Sequence, residues 1–357
     1  MRQMLARYQH AGLVFARKKL AGLLVPMVQP LRSGMGCIVM LHRVLPATKC
    51  PVQRYGMARD IEHSVEHVER VVRWFLRNGY EPINIDKVEA RLKRNNGRRF
   101  VVFTVDDGFV DGYQHIRPLF AKYDVPWTFY ISTAYIDRSI ILEAHLLEQR
   151  MQAGAFPITL EMPDGSVITC HGNHLQECDD FIESVARLGR MMDVTAFRKW
   201  AWDQLGRQDL EDLADQLCCN WDQIREMSRD PDIIIGAHTV SHVPLARVSD
   251  EDLQHELQAS RKMLETQLGL PVVHFAYPMG SVTVKASQAA KVAGYSTAVT
   301  TTISNLFEEN LQNVQALPRL HWKPDDEETF RLSVSGADAF IYFRGKRFDM
   351  KKSVPIK

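Results

Sequence analysis

The chain has 357 residues, 45% apolar and 24% charged, with a formal net charge of +1. This is an ordinary globular composition, long enough for two domains or for one α/β barrel with additions. The near-zero charge gives no global electrostatic case for nucleic acid, and six scattered cysteines without a CxxC pair exclude a zinc ribbon or a disulfide framework.

The chain opens on MRQMLARYQHAGLVFARKKLAGLLVPMVQPL, with Arg2, Arg7, Arg17, Lys18 and Lys19 and no acid. Its apolar runs are broken by these charges. They are too short for the roughly 20 residues of a spanning helix, and they lack the uninterrupted apolar core of an export signal. Residues 1–36 are therefore expected as a basic amphipathic helix, packed on the domain or docked on an anionic membrane surface. Scattered thiols and the missing signal lead us to expect a cytoplasmic protein, membrane-associated if that helix docks.

Strand and helix patterns then alternate. Cys37 to Val44 reads as a buried strand running into His42. A helix is expected over Arg59 to Asn78, with Ile61, Val65, Val68, Val72 and Phe75 on one side. RRFVVFTV is a continuous apolar strand, Tyr113 to Tyr123 a helix, and PWTFYIST the next strand. From about Arg138 to Trp221 the rhythm breaks. That region is helical and charged, with a hairpin expected around Asp164-Gly165. We read 138–221 as an insertion between core segments 37–137 and 222–345. DIIIGAH resumes the core. A helix follows from Ser249 to Leu268, opened by the capping pattern Ser-Asp-Glu-Asp, then PVVHFAYP, a helix over Val284 to Ala293, and YSTAVTT. The acidic run Asp325 to Glu328 is expected to start a last helix. Strands that are apolar throughout and separated by helices indicate a parallel sheet covered on both faces. An open sheet and a closed barrel both fit that pattern.

In such cores, chemistry gathers at the carboxyl ends of the strands. There the sequence places His42, Asp106-Asp107-Gly108, His238-Thr-Val-Ser-His242, Pro278-Met279-Gly280, and Arg319 with His321. Asp-Gly alone is turn chemistry, and HxxxH alone is two histidines on a helix. Together at one rim, two imidazoles and a carboxylate are a mononuclear metal set with an open position for water. His145, His171 and His174 fall in the insertion, where His171-Gly-Asn-His174 reads as a solvated loop. The paired acids lack the Gly-rich or basic cradle that a phosphohydrolase needs.

TVDDG, HTVSHV and AYPMG resemble the first three motifs of the polysaccharide deacetylases with the NodB homology domain (carbohydrate esterase family 4), over roughly Cys37 to Trp322 outside the insertion. Leu41-His42-Arg43-Val44 is similar to the opening of a bacterial branch linked to surface-polysaccharide synthesis. The resemblance implies a distorted (β/α)7 barrel, here with a largely helical insertion. It also implies a metal-dependent hydrolase that removes the acetyl group of an N-acetylated sugar, and the missing export signal points to a nucleotide- or lipid-linked precursor of surface polysaccharide as that sugar. It assigns Asp107, His238 and His242 to one divalent ion, most simply Zn2+, Asp106 as general base towards a metal-activated water, and His321 as general acid. His42, Tyr277, Pro278, Gly280, Arg319 and Trp322 are expected around the substrate.

Departures from the motifs are Val105 for Phe, Val243 for Pro, Leu320 directly before His321, and Ala276 where the third motif has the Arg that orients the base. Arg319 is the candidate to supply that cation. An O-deacetylase on the same site, or a catalytically silent carbohydrate-binding or scaffold protein on the same barrel, are the competing expectations.

Overall fold

A computed structural model of the protein describes residues 33–336 apart from 57, 95, 96, 323 and 325. The basic N-terminal segment, with the membrane contact expected of it, lies outside the described residues up to residue 32. So does Asp325 at the head of the acidic run.

Six parallel strands line up in chain order: β1 (Gly36–Leu41), β2 (Phe100–Val105), β3 (Trp127–Ile131), β4 (Ile233–Ala237), β5 (His274–Ala276) and β6 (Thr297–Val299). A two-residue strand, Glu81–Pro82, pairs with the start of β2. The two edges meet through residues 317–320. Leu317 bridges Val299 and Leu320 bridges Val39, both in parallel sense. Leu317 N–H donates to Ala298 O at 2.8 Å, and Met40 N–H to Leu320 O at 2.9 Å. The sheet thereby curls into a distorted α/β barrel, with this segment as its closing stave.

Side chains of a strand alternate between faces, and that alternation sorts the core. Ile38, Phe100, Val102, Tyr130, Ala276, Val299 and Leu317 form an inner cluster. Val39, Leu41, Val101, Phe103, Phe129 and Phe275 belong to a larger cluster beneath the helices. The inner space is tight. A Cβ on Gly236 of β4 would lie 2.5 Å from the Tyr130 ring. Continuing the inward parity past the strand ends aims His42, Asp106, Arg319 and His321 at the barrel axis, so register delivers four polar side chains to one rim.

The helix expected over Arg59 to Asn78 is interrupted: a single helical turn, Ala58–Ile61, precedes three strand residues, and the main helix, α1, runs Val65–Arg77. Residues Glu62–Ser64 pair with Arg43–Leu45 in a small parallel sheet instead, and Ser64 Oγ then caps α1 by accepting from His67 N–H at 3.1 Å. Between β3 and β4 the chain forms α2 (Glu143–Gln152), an antiparallel hairpin (Ile158–Glu161 with Val167–Cys170), α3 (Leu175–Met191), α4 (Val194–Leu205) and α5 (Arg207–Leu217). Its apolar residues, among them Leu147, Cys170, Val185 and Ala201, belong to the same cluster as the outer face of the barrel. After β4 come α6 (Asp250–Leu268), capped by Ser249 as expected, then α7 (Val284–Val292) and α8 (Glu327–Ser335). No described helix is long and apolar enough to cross a membrane.

Candidate metal centre and its neighbouring carboxylate

Asp106 and Asp107 leave β2 in opposite directions. Asp106 N–H still bonds Leu41 O at 3.0 Å, in register with the sheet. Asp107 has φ 81, a left-handed conformation that costs a non-glycine residue about 1–3 kcal/mol. Asp107 O accepts from Ser132 N–H at 3.0 Å, which helps hold the turn. Thr239 (φ 67), His242 (φ 54) and Met279 (φ 55) share this strained conformation on neighbouring loops. Strain of this kind concentrates where a site over-determines its backbone.

Around Asp107 Oδ1 stand two imidazoles. His238 Nε2 is 3.4 Å away and His242 Nε2 is 3.2 Å away. His238 Nδ1 lies 2.8 Å from Ala276 O, and a carbonyl can only accept, so this nitrogen carries the proton and Nε2 carries the lone pair. Asp107 Oδ1 is buried and makes no hydrogen bond despite both nearby nitrogens. Ligand atoms held at about 2.0–2.1 Å around a tetrahedral cation sit about 3.3 Å apart. The observed spacings match that figure, and the orphaned oxygen and oriented lone pair supply the donor chemistry, so the three residues fit a divalent ion. Among the described residues this is the group of His, Cys, Asp and Glu able to hold a metal. Burial opposes the charges here. It is outweighed at Asp107, whose carboxyl the two histidines hold well below its ordinary range, and at His242, which Asp107 raises.

The loop carrying His242 is pinned from behind. Glu256 of α6, only 6% exposed, accepts from Val240 N–H at 2.7 Å and Ser241 N–H at 3.0 Å through one oxygen. The other wall is braced by Arg43, whose Nε donates to Asp111 at 2.9 Å and whose guanidinium lies 5.3 Å from the Phe109 ring. Neither brace was singled out from the sequence. Glu256 does interrupt the apolar face of its helix between Leu253 and Leu257, and that was the available signal.

Asp106 is held differently. Arg319 donates from both terminal nitrogens to its two oxygens, 2.7 Å each, and its Nε donates to Thr300 O at 2.9 Å. Burial alone would raise the Asp106 carboxyl, but the Arg319 charge and hydrogen bonds outweigh it and the group sits below the usual range. Arg319 thus reaches the acid that Ala276 cannot orient. His42 Nε2 is 3.9 Å from Asp106 Oδ2. His321 is half-buried with an unpartnered Nδ1, and burial, then His42 and Arg319, push its ring down to about 4.

The expected substrate contacts need correction. Arg319 is fully buried and spent on Asp106, so it does not reach a substrate. Tyr277 follows the outward parity of Phe275, is fully buried, and donates its hydroxyl to Gln315 O at 2.9 Å. Trp322 is likewise outward and buried, and its indole N–H bonds His67 Nε2 at 2.8 Å. Pro278 is buried. His42 and Gly280 stay partly open at the rim, and His145 of α2 joins them, its ring 5.3 Å from Phe109. His174 instead caps α3.

The family model for polysaccharide deacetylases matches residues 93–298. A Bacillus subtilis protein whose name assigns it to the polysaccharide deacetylases, YxkH, is 21% identical over 77% of this chain and 72% of its own. Among solved structures, the Streptococcus pyogenes deacetylase PplD in complex with acetate is similar at TM-score 0.54 and 16% identity, covering 84% of this chain and 97% of that one. IcaB from Ammonifex degensii is similar at TM-score 0.52 and 16% identity, covering 85% and 98%.

Proposed function

The chain belongs to the polysaccharide deacetylase family of hydrolases, and on that premise we propose that it removes the N-acetyl group of an N-acetylated glycan or glycan precursor. Asp107, His238 and His242 would hold one Zn2+, because a carboxylate and two neutral imidazoles at tetrahedral spacing suit that ion. When bound, the cation lowers the pKa of a water and polarises the acetyl carbonyl.

The chain's own residues do the rest. Asp106 accepts the proton of the water that adds to the acetyl carbon. Arg319 fixes the plane of its carboxylate and keeps it ionised, while each oxygen retains a second lone pair for that proton. The C–N bond then breaks, acetate leaves, and the amine takes a proton from His321. The His321 ring is neutral at rest, so the proton that Asp106 takes from the water passes to His321 before the amine leaves, and Asp106 returns to its ionised state. His42, beside Asp106, lines the acyl pocket.

One observation carries this reading. Adjacent residues on one strand end face different partners, Asp107 the two imidazoles and Asp106 the buried arginine. A silent binding protein has no use for a base held ionised by a buried guanidinium, and that favours the enzyme over the scaffold. O-deacetylation remains the second reading because the same groups serve an ester. Acetate release from UDP-linked, lipid-linked and polymeric N-acetyl sugars, and from an O-acetylated polymer, with and without a chelator, tests both. N-acetyl substrates should release acetate only with metal. Release from the O-acetyl polymer alone would reject the first reading.

A further inference from the structure

Charge in this protein is sharply divided. Residues 1–32 carry six Arg and Lys and no acid, and residues 337–357 carry six against two Asp. The whole chain is only +1, so the body between them is strongly acidic. Both segments join the body at the same end of the barrel. Met35 N–H bonds Leu306 O at 2.8 Å, and the neighbouring Asn305 donates to Val334 O at 3.0 Å, one residue before α8 ends. This is the end where the strands begin, opposite the metal centre.

Towards that end the flank carries a cleft of about 320 Å³ between α1 and α8, lined by Arg70, Arg73, Trp74, Arg77, Phe330 and Arg331. The three arginines of α1 stand at helical spacing on its exposed side. Glu327 pairs with Arg70 at 3.1 Å and with Arg331 at 3.4 Å. Arg73 and Arg77 form no ion pair or hydrogen bond among the described residues, and the nearby Glu69 is occupied by Lys122 at 2.8 Å. The floor is aromatic, with Trp74 edge-on to Phe330 at 5.2 Å. Beyond Asn78 a second recess is lined by Arg98 and Arg99.

We propose that this end of the barrel docks on an anionic phospholipid bilayer, with Arg73 and Arg77 receiving headgroup phosphates over the Trp74 floor. Guanidiniums without a direct ion-pair partner match phosphate oxygens, and an indole half-buried beside them suits the interfacial region. The two basic end segments, which continue from described residues at this same end, add attraction. The acidic body is repelled, which sets the orientation. The metal centre faces away from the bilayer and receives its glycan from the aqueous side.

Flotation of the full-length protein with vesicles of phosphatidylcholine, alone or mixed with phosphatidylglycerol, tests this. Wild type should float with the anionic vesicles only and be released by salt. The double variant Arg73→Gln and Arg77→Gln should partition about thirtyfold more weakly, near fivefold per arginine, with acetate release in solution unchanged. Equal partitioning of variant and wild type would place any contact on the end segments alone and overturn the cleft's role. Equal binding to neutral vesicles, or release by inorganic phosphate where chloride of equal ionic strength does nothing, would also overturn the proposal.

Discussion

Replacing Arg319 by Gln removes the partner of a carboxylate that is 2% exposed. Burial, which already pushes the Asp106 carboxyl upward, is then opposed only by the histidines. Two effects follow. Breaking a buried ion pair from one side costs about 3–5 kcal/mol, and at about 1.5 °C per kcal/mol for a domain of roughly 300 residues the melting temperature should fall by about 5–8 °C. The second effect is on pH dependence. A carboxyl depressed in the folded state contributes stability above its unfolded pKa and loses it as pH falls through the folded value. Wild type therefore keeps this contribution down to acid pH. In Arg319→Gln the carboxyl rises, its contribution is lost at neutral pH, so that wild type and variant differ most at neutral pH and least at acid pH, and the acid limb of the pH–rate profile moves upward. Thermal melts and acetate release across pH 4–9 read both effects. A variant that melts like wild type, with an unmoved acid limb, would refute the role given to the pair.

Three further outcomes are expected. Glu256→Ala frees the backbone behind His242, and supporting residues of this kind are worth about 10–100-fold in metal affinity, so a zinc titration should show that loss while Glu256→Gln retains most of the affinity. Glu148 is buried and its carboxyl is pushed up to about 7 by burial. An acid raised by folding costs stability as pH climbs from its unfolded value through 7, by at most about 3 kcal/mol, so melts from pH 5 to 8 should fall less in Glu148→Gln than in wild type. Gly280 has φ 65, and a Cβ there would sit in collision with Thr301 Oγ1; Gly280→Ala should destabilise the rim and slow acetate release, whereas Gly79→Ala, at φ 75 with open space around it and at the opposite end of the barrel, carries only the backbone strain and should leave acetate release unchanged.

Much of the barrel was legible because buried parallel strands are apolar without interruption, and because polar residues at their ends have no packing reason to be there. Asp106, Asp107, His238 and His242 stood out for that cause. Arg319 was legible as the missing cation but was also placed among substrate contacts, although it lies two residues from Leu317 on the inward parity and had no route to solvent. Tyr277 and Trp322 were misplaced because aromatic residues near a strand end look like a sugar platform. Counting parity from Phe275 and Leu320 puts both under the helices, where their polar tips find Gln315 and His67. Glu256 and Asp111 act across long sequence separations on backbone and guanidinium partners, and no local pattern announces such a brace. The start of α1 was missed because Glu62–Ser64 fits a helix by periodicity but finds a strand partner in Arg43–Leu45.

The central claim is that Asp107 and the two histidines bind the cation while Asp106 serves as base. Metal content and acetate release measured side by side on wild type, Asp106→Asn and His238→Ala test it most directly. Asp106→Asn should retain one zinc per chain and lose turnover by about 10²–10⁴-fold, and His238→Ala should lose the zinc. An Asp106→Asn protein that turns over near the wild-type rate, or that has lost its metal, would contradict the account.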